Sequence, residues 1–88
     1  MAKKDEFRDV YWVRLLERQP SGIRQQQELH RFESSAGALK KFEELVLENE
    51  GKAGQWIVDI LFIHEGQFST IKEKRLWHLL QLVLFLQI

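Results

Sequence analysis

The sequence predicts a small single α+β domain over residues 1–88: an antiparallel sheet of three strands, or four, in the order β-β-α-β, closed by a C-terminal helix. Three observations predict it. A segment rich in aromatic and branched residues and a more polar one flank a Pro-Ser-Gly turn, one amphipathic helix has a serine before it and a glycine after it, and a ten-residue run from Gln55 to His64 is apolar on both alternating faces apart from Asp59.

Phe7 to Leu16 reads as the first strand. Successive strand side chains point to opposite faces, so Phe7, Tyr11, Val13 and Leu15 face a core. Arg8, Val10, Trp12, Arg14, Leu16 and Arg18 share the other side. Gln19-Pro20-Ser21-Gly22 makes a turn, with proline presetting φ at the second position and glycine favoured at the fourth. Ile23 to Phe32 follows as a more polar strand whose Gln25-Gln26-Gln27 run suits a sheet edge.

Ser34-Ser35 offers a helix N-cap, because a serine oxygen accepts a bond from a free amide of the first turn. Ala38, Leu39, Phe42, Leu45 and Val46 then form one apolar stripe at helical spacing, and Gly51 supplies the left-handed residue that ends a helix. Gln55 to His64 is apolar on both sides apart from Asp59, so it belongs at the centre of the sheet. An acid inside such a strand needs a cation or a backbone donor; Arg14 and Arg8 are the candidates. Short connections place this strand beside the first, giving the order 2-1-3.

Glu65-Gly66 makes a further turn, after which two readings compete. Thr70 followed by Glu73 has capping-box spacing and favours a helix from about Ile71. The alternative is a hairpin with a fourth strand over Gln67 to Lys74. The helix is the favoured reading. In either form the stretch from Leu76 to Ile88 is apolar all round, more than a chain of 88 residues can cover by itself. It is expected to join two copies through Leu76, Leu79, Leu80, Val83 and Leu86.

Composition narrows the function classes. There is no cysteine, so disulfides and thiolate zinc sites are excluded. Formal net charge is zero, so bulk attraction to nucleic acid or anionic membrane is not encoded. Residues 1–32 hold 7 basic and 5 acidic side chains, residues 33–50 hold 2 and 5, and residues 51–88 hold 4 and 3, local balances of +2, −3 and +1. The charged start Met-Ala-Lys-Lys-Asp-Glu has no apolar run behind it, and the apolar tail falls short of the roughly 20 residues a spanning helix needs. No membrane partner and a cytoplasmic location are therefore expected.

No catalytic motif emerges. His30, His64 and His78 lie at no metal-ligand spacing, each serine reads as a turn or cap residue, and Ser35-Ala36-Gly37-Ala38 lacks the Lys-Ser/Thr of a phosphate loop. No catalytic, metal or cofactor residue is assigned; a site assembled from His64, Glu65 and Asp59 ranks last among the readings. The suggestive surface is the aromatic and basic side of the first strand, with Arg8, Trp12, Arg14 and Arg18, extended by Arg24 or His30. Aromatics between cations on a sheet stack bases and neutralise phosphates, while Trp and Arg together also mark protein-interface hot spots. Trp12 packed beneath the C-terminal segment is the third reading. The hairpin–helix–strand layout in so small a cysteine-free chain resembles that of many small proteins of phages and mobile elements, inhibitors of bacterial defence systems among them. This resemblance implies a chain that blocks a larger host complex. The expected function is a non-enzymatic protein-binding module and homodimer, with a nucleic-acid-binding module as the alternative.

Overall fold

The computed structural model of the chain describes residues 9–77. It contains strand β1 (Val10–Arg18), strand β2 (Arg24–Phe32), helix α1 (Ser35–Asn49), strand β3 (Gln55–His64) and strand β4 (Gln67–Trp77). The sheet runs β2-β1-β3-β4 and every pairing is antiparallel. The expected order 2-1-3 holds, with β4 added outside β3.

The first hairpin closes as its residues dictate. Gly22 N donates to Gln19 O at 2.8 Å, Gln19 N donates to Ile23 O at 2.8 Å, and Gly22 has φ +93°. This is a tight turn followed by a left-handed glycine, a common three-residue hairpin connection. The Gln25-Gln26-Gln27 run lies on β2, an edge strand of the described sheet, and all three are exposed.

Helix α1 opens at Ser34, whose Oγ accepts from Gly37 N at 3.2 Å. It closes at Glu50, with Gly51 at φ +78° leading the chain out. The serine satisfies one of the amides that a helix start leaves free. Ser34→Ala is expected to lower stability by about 1 kcal/mol, measured as a fall in the urea midpoint with an unchanged m-value. Ala38, Phe42 and Leu45 of the expected stripe are buried and Val46 is partly so, whereas Leu39 is exposed. Asn49 takes the next buried place. Its Nδ2 donates to Leu45 O at 2.7 Å and its Oδ1 accepts from Lys52 Nζ at 3.2 Å, so burial leaves neither end of the amide without a partner.

The helix lies on one face of the sheet. There Val13 and Leu15 of β1, Trp56, Val58 and Ile60 of β3, and Leu76 of β4 pack with Ala38, Phe42 and Leu45. The strand register sets these layers: Val13 lies opposite Ile60, Leu15 opposite Val58 and Trp56 opposite Leu76.

The end of the described chain departs from the favoured reading. Residues 67–77 form strand β4 instead of entering a helix at Ile71. Glu65 (φ 50°) and Gly66 (φ 79°) make a two-residue turn with both φ values positive, the geometry that matches the twist of paired antiparallel strands. It returns the chain along β3, so that His64 faces Gln67 and Gln55 faces Trp77, with a register shift between Ile60 and Leu61. The Thr70–Glu73 spacing is a weak local preference against a long ladder of strand hydrogen bonds. Leu76, expected at an interface between copies, lies in the chain's own core at 8% exposure. Leu79, Leu80, Val83 and Leu86 lie outside the described residues, as does the C-terminal stretch expected to form a helix beyond residue 77.

Candidate functional site: the sheet face opposite the helix

The even-numbered residues of β1 and the odd-numbered residues of β3 point away from the helix. No described element packs over this second face, and its composition changes from one end to the other.

At one end Val10 lies opposite Ile63, Trp12 opposite Leu61, and Ile63 opposite Phe68. Val10, Trp12, Leu61 and Ile63 are half-buried, while Phe68 is 72% exposed. At the centre Arg14 lies directly opposite Asp59. Arg14 Nε donates to Asp59 Oδ1 at 2.9 Å and Nη2 donates to Oδ2 at 2.6 Å, a two-pronged pair. Asp59 is 1% exposed. The bond to Asp59 raises the Arg14 pKa, against the smaller lowering effect of burial, so the guanidinium is charged at every ordinary pH. This is the cation that an acid inside the third strand requires.

At the other end the face is arginine-rich. Arg18 of β1 faces Arg24 of β2, and Arg75 of β4 faces Ile57 of β3. Arg24 Nη1 donates to Glu73 Oε1 at 3.3 Å, and Arg75 Nε donates to Glu73 Oε2 at 3.4 Å. Arg24 stands on β2 and Glu73 on β4, so their pair spans the two central strands, a sheet width of about 14 Å at the usual strand spacing. Leu16 and Ile57 belong to those central strands and are buried, at 3% and 0% exposure, although they point away from the helix. Arg18 Nη1 donates to the neutral Gln55 Oε1 at 2.8 Å. Arg18, Arg24, Ile57 and Arg75 together line a recess of about 430 Å³.

Of the residues singled out from sequence, Trp12, Arg14 and Arg18 share this face, and Arg24 joins them. Arg8 lies outside the described residues. His30 sits on the helix side, opposite Val13, with its Nε2 3.0 Å from Glu28 Oε1. His64 and Asp59 point to opposite sides of β3, so the structure does not bring His64, Glu65 and Asp59 into one site. Among the described residues no group of three His, Asp or Glu side chains is placed to hold a metal ion, and no helix is long and apolar enough to cross a membrane. Sequence reasoning missed Glu73 and Arg75 because it gave their segment to a helix. The Glu65-Gly66 turn was the signal that could have found them.

His64 stands outside this face with a partner of its own. Its Nδ1 donates to Asp9 Oδ1 at 2.6 Å, and its ring stacks on Phe62 with centroids 5.9 Å apart. The bond and charge of Asp9 raise the His64 pKa above its ordinary value. A raised base stabilises the fold fully below about pH 6.5, the unperturbed value, and loses that contribution as pH climbs through the folded value. The His64 ring signals in an NMR titration are therefore expected to show a midpoint above about 6.5 that falls in Asp9→Asn.

Compared with protein-family models, curated proteins and solved structures, the chain gives no match.

Proposed function

We propose that the chain is a non-enzymatic protein-binding module and that its contact surface is the sheet face opposite the helix. The observation that carries this reading is Phe68, held 72% in water opposite half-buried Ile63 and on the same end of the face as half-buried Leu61 and Trp12, with arginines along the rest of the face. Interfaces concentrate their binding energy in a few aromatic and arginine side chains surrounded by flatter apolar ground. Such a module acts by occupancy. The reading includes pairing of two copies through Leu79, Leu80, Val83 and Leu86. Two chains per particle by light scattering support that pairing, and one chain per particle removes it.

Capture from a native lysate tests the surface. Tagged wild-type chain is expected to retain a protein that Trp12→Ala and Phe68→Ser lose and that Leu47→Ser, on the exposed side of the helix, keeps. An identical set of captured proteins with all four chains would sink the reading.

The second reading, a nucleic-acid-binding module, draws on Arg14, Arg18, Arg24, Arg31 and Arg75 beside Trp12. Most of these charges are already engaged. Asp59 takes Arg14, Glu73 takes Arg24 and Arg75, and Arg31 lies 3.5 Å from Glu33. Affinity for nucleic acid grows with the number of phosphates neutralised, and with Arg14 closed on Asp59 and Arg31 beside Glu33, the positive excess is confined to one recess at Arg18, Arg24 and Arg75 and does not form a track. A protein partner needs no such track.

A further inference from the structure

We propose that the recess between Arg18, Arg24 and Arg75 receives a carboxylate, an Asp or Glu side chain of the protein bound on this face. The inference rests on the protein-binding reading and names the chemistry of the partner at the arginine end.

Three strands each supply one guanidinium, β3 supplies Ile57 beneath, and the recess between them holds about 430 Å³. Glu73 is the one carboxylate among the described residues bonded to these three arginines, and it divides its two oxygens between Arg24 and Arg75. Its distances of 3.3 and 3.4 Å are long beside the roughly 2.7–2.9 Å of a strong charge-assisted bond. Arg18 is held by an uncharged amide oxygen. Three positive groups against one negative group leave a balance of +2 in one recess. The neighbouring Arg14 offers the contrast. Its fork is closed on Asp59 at 2.6 and 2.9 Å, so it has little to give a ligand. Glu73 shows which group these arginines accept, and its loose grip leaves donor capacity for another of the same kind. A compact recess at one end of the face suits a single acidic side chain better than a track of phosphates.

The test uses the full chain with a short fluorescein-labelled Glu-rich peptide, its Gln-for-Glu counterpart and an oligothymidylate of similar length. In low salt the Glu peptide is expected to bind roughly tenfold more tightly than the Gln peptide, since a bond to a charged group contributes about 1.5–3 kcal/mol. The Nε–Hε signals of Arg18 and Arg75 move on binding while that of Arg14 stays. Arg18→Gln and Arg75→Gln, both exposed positions, each weaken the Glu peptide by roughly three- to tenfold with the remaining amide spectrum unchanged. Equal binding of the two peptides, unmoved Arg18 signals, or tighter binding of the oligothymidylate through the same arginines would overturn the proposal. Lysate capture separates the two claims. A partner lost with Trp12→Ala but kept with Arg18→Gln/Arg75→Gln leaves the module reading standing and removes the acidic contact. A partner kept with every variant removes both.

Discussion

Arg14→Ala is expected to destabilise the fold by about 3–5 kcal/mol, the usual cost of removing one partner from a buried ion pair. Asp59 is 1% exposed and both its oxygens are held by Arg14. Without the guanidinium its carboxylate has neither a counter-charge nor full access to water. The lower end of the range is the better expectation, because the Arg14 side chain is 27% exposed and water can enter where it stood. A domain of this length has about 4–13 kcal/mol in all, so the loss is a large share of the total. Urea unfolding followed by circular dichroism reads it directly.

The companion experiment separates the pair from its position. Replacing both partners by leucine removes the charges together, and such replacements are often neutral or stabilising. Arg14→Leu/Asp59→Leu is therefore expected to recover most of what Arg14→Ala loses. If Arg14→Ala unfolds within about 1 kcal/mol of wild type, the pair is solvated in solution and the account of a closed central fork fails. That result would also weaken the contrast between a saturated Arg14 and the open arginines around Glu73.

The same pair shows how much of this fold is legible in the chain. An acid in the middle of an apolar strand requires a cation, and short connections put that strand beside the first, so two rules narrow the partner to Arg14 or Arg8, and the register that sets Arg14 opposite Asp59 decides between them. Alternation separates Tyr11, Val13 and Leu15 from Trp12, Arg14 and Arg18, because one slip in register would reverse every side chain. The span Gln55 to His64 agrees with β3 at both ends. Residues 67–77 were legible only as the second reading, a fourth strand over Gln67 to Lys74, since Thr70 and Glu73 carry a local helical signal while the decision lies with the unpaired edge of β3. Once that segment is a strand, Glu73 and Arg75 enter the candidate site from across the sheet, a juxtaposition that no spacing along the chain encodes. Leu39 fails for a related reason. A helix resting on a sheet buries a stripe near 3.6-residue spacing, here Ala38, Phe42, Leu45 and Asn49, and Leu39 falls to its side.

Helix α1 allows a sharp test of where the core sits, because one substitution can be made at two leucines with opposite surroundings. Leu45 is 0% exposed and packs with Phe42, Val13, Leu15 and the β3 residues, whereas Leu47, two positions on, is 71% exposed. Both changes to alanine alter intrinsic helix preference equally and by little. Leu45→Ala also removes buried methyl groups and leaves a cavity that a strand-backed core closes only in part, at a cost of about 2–5 kcal/mol. Leu47→Ala is expected within about 0.5 kcal/mol of wild type. At about 4–8 °C per kcal/mol for a domain of this size, Leu45→Ala lowers Tm by at least roughly 8 °C while Leu47→Ala shifts it by a few degrees at most. Comparable losses at the two positions would mean that Leu47 is covered in solution by something beyond the described residues, and the outer side of the helix would then have to be counted as contact surface.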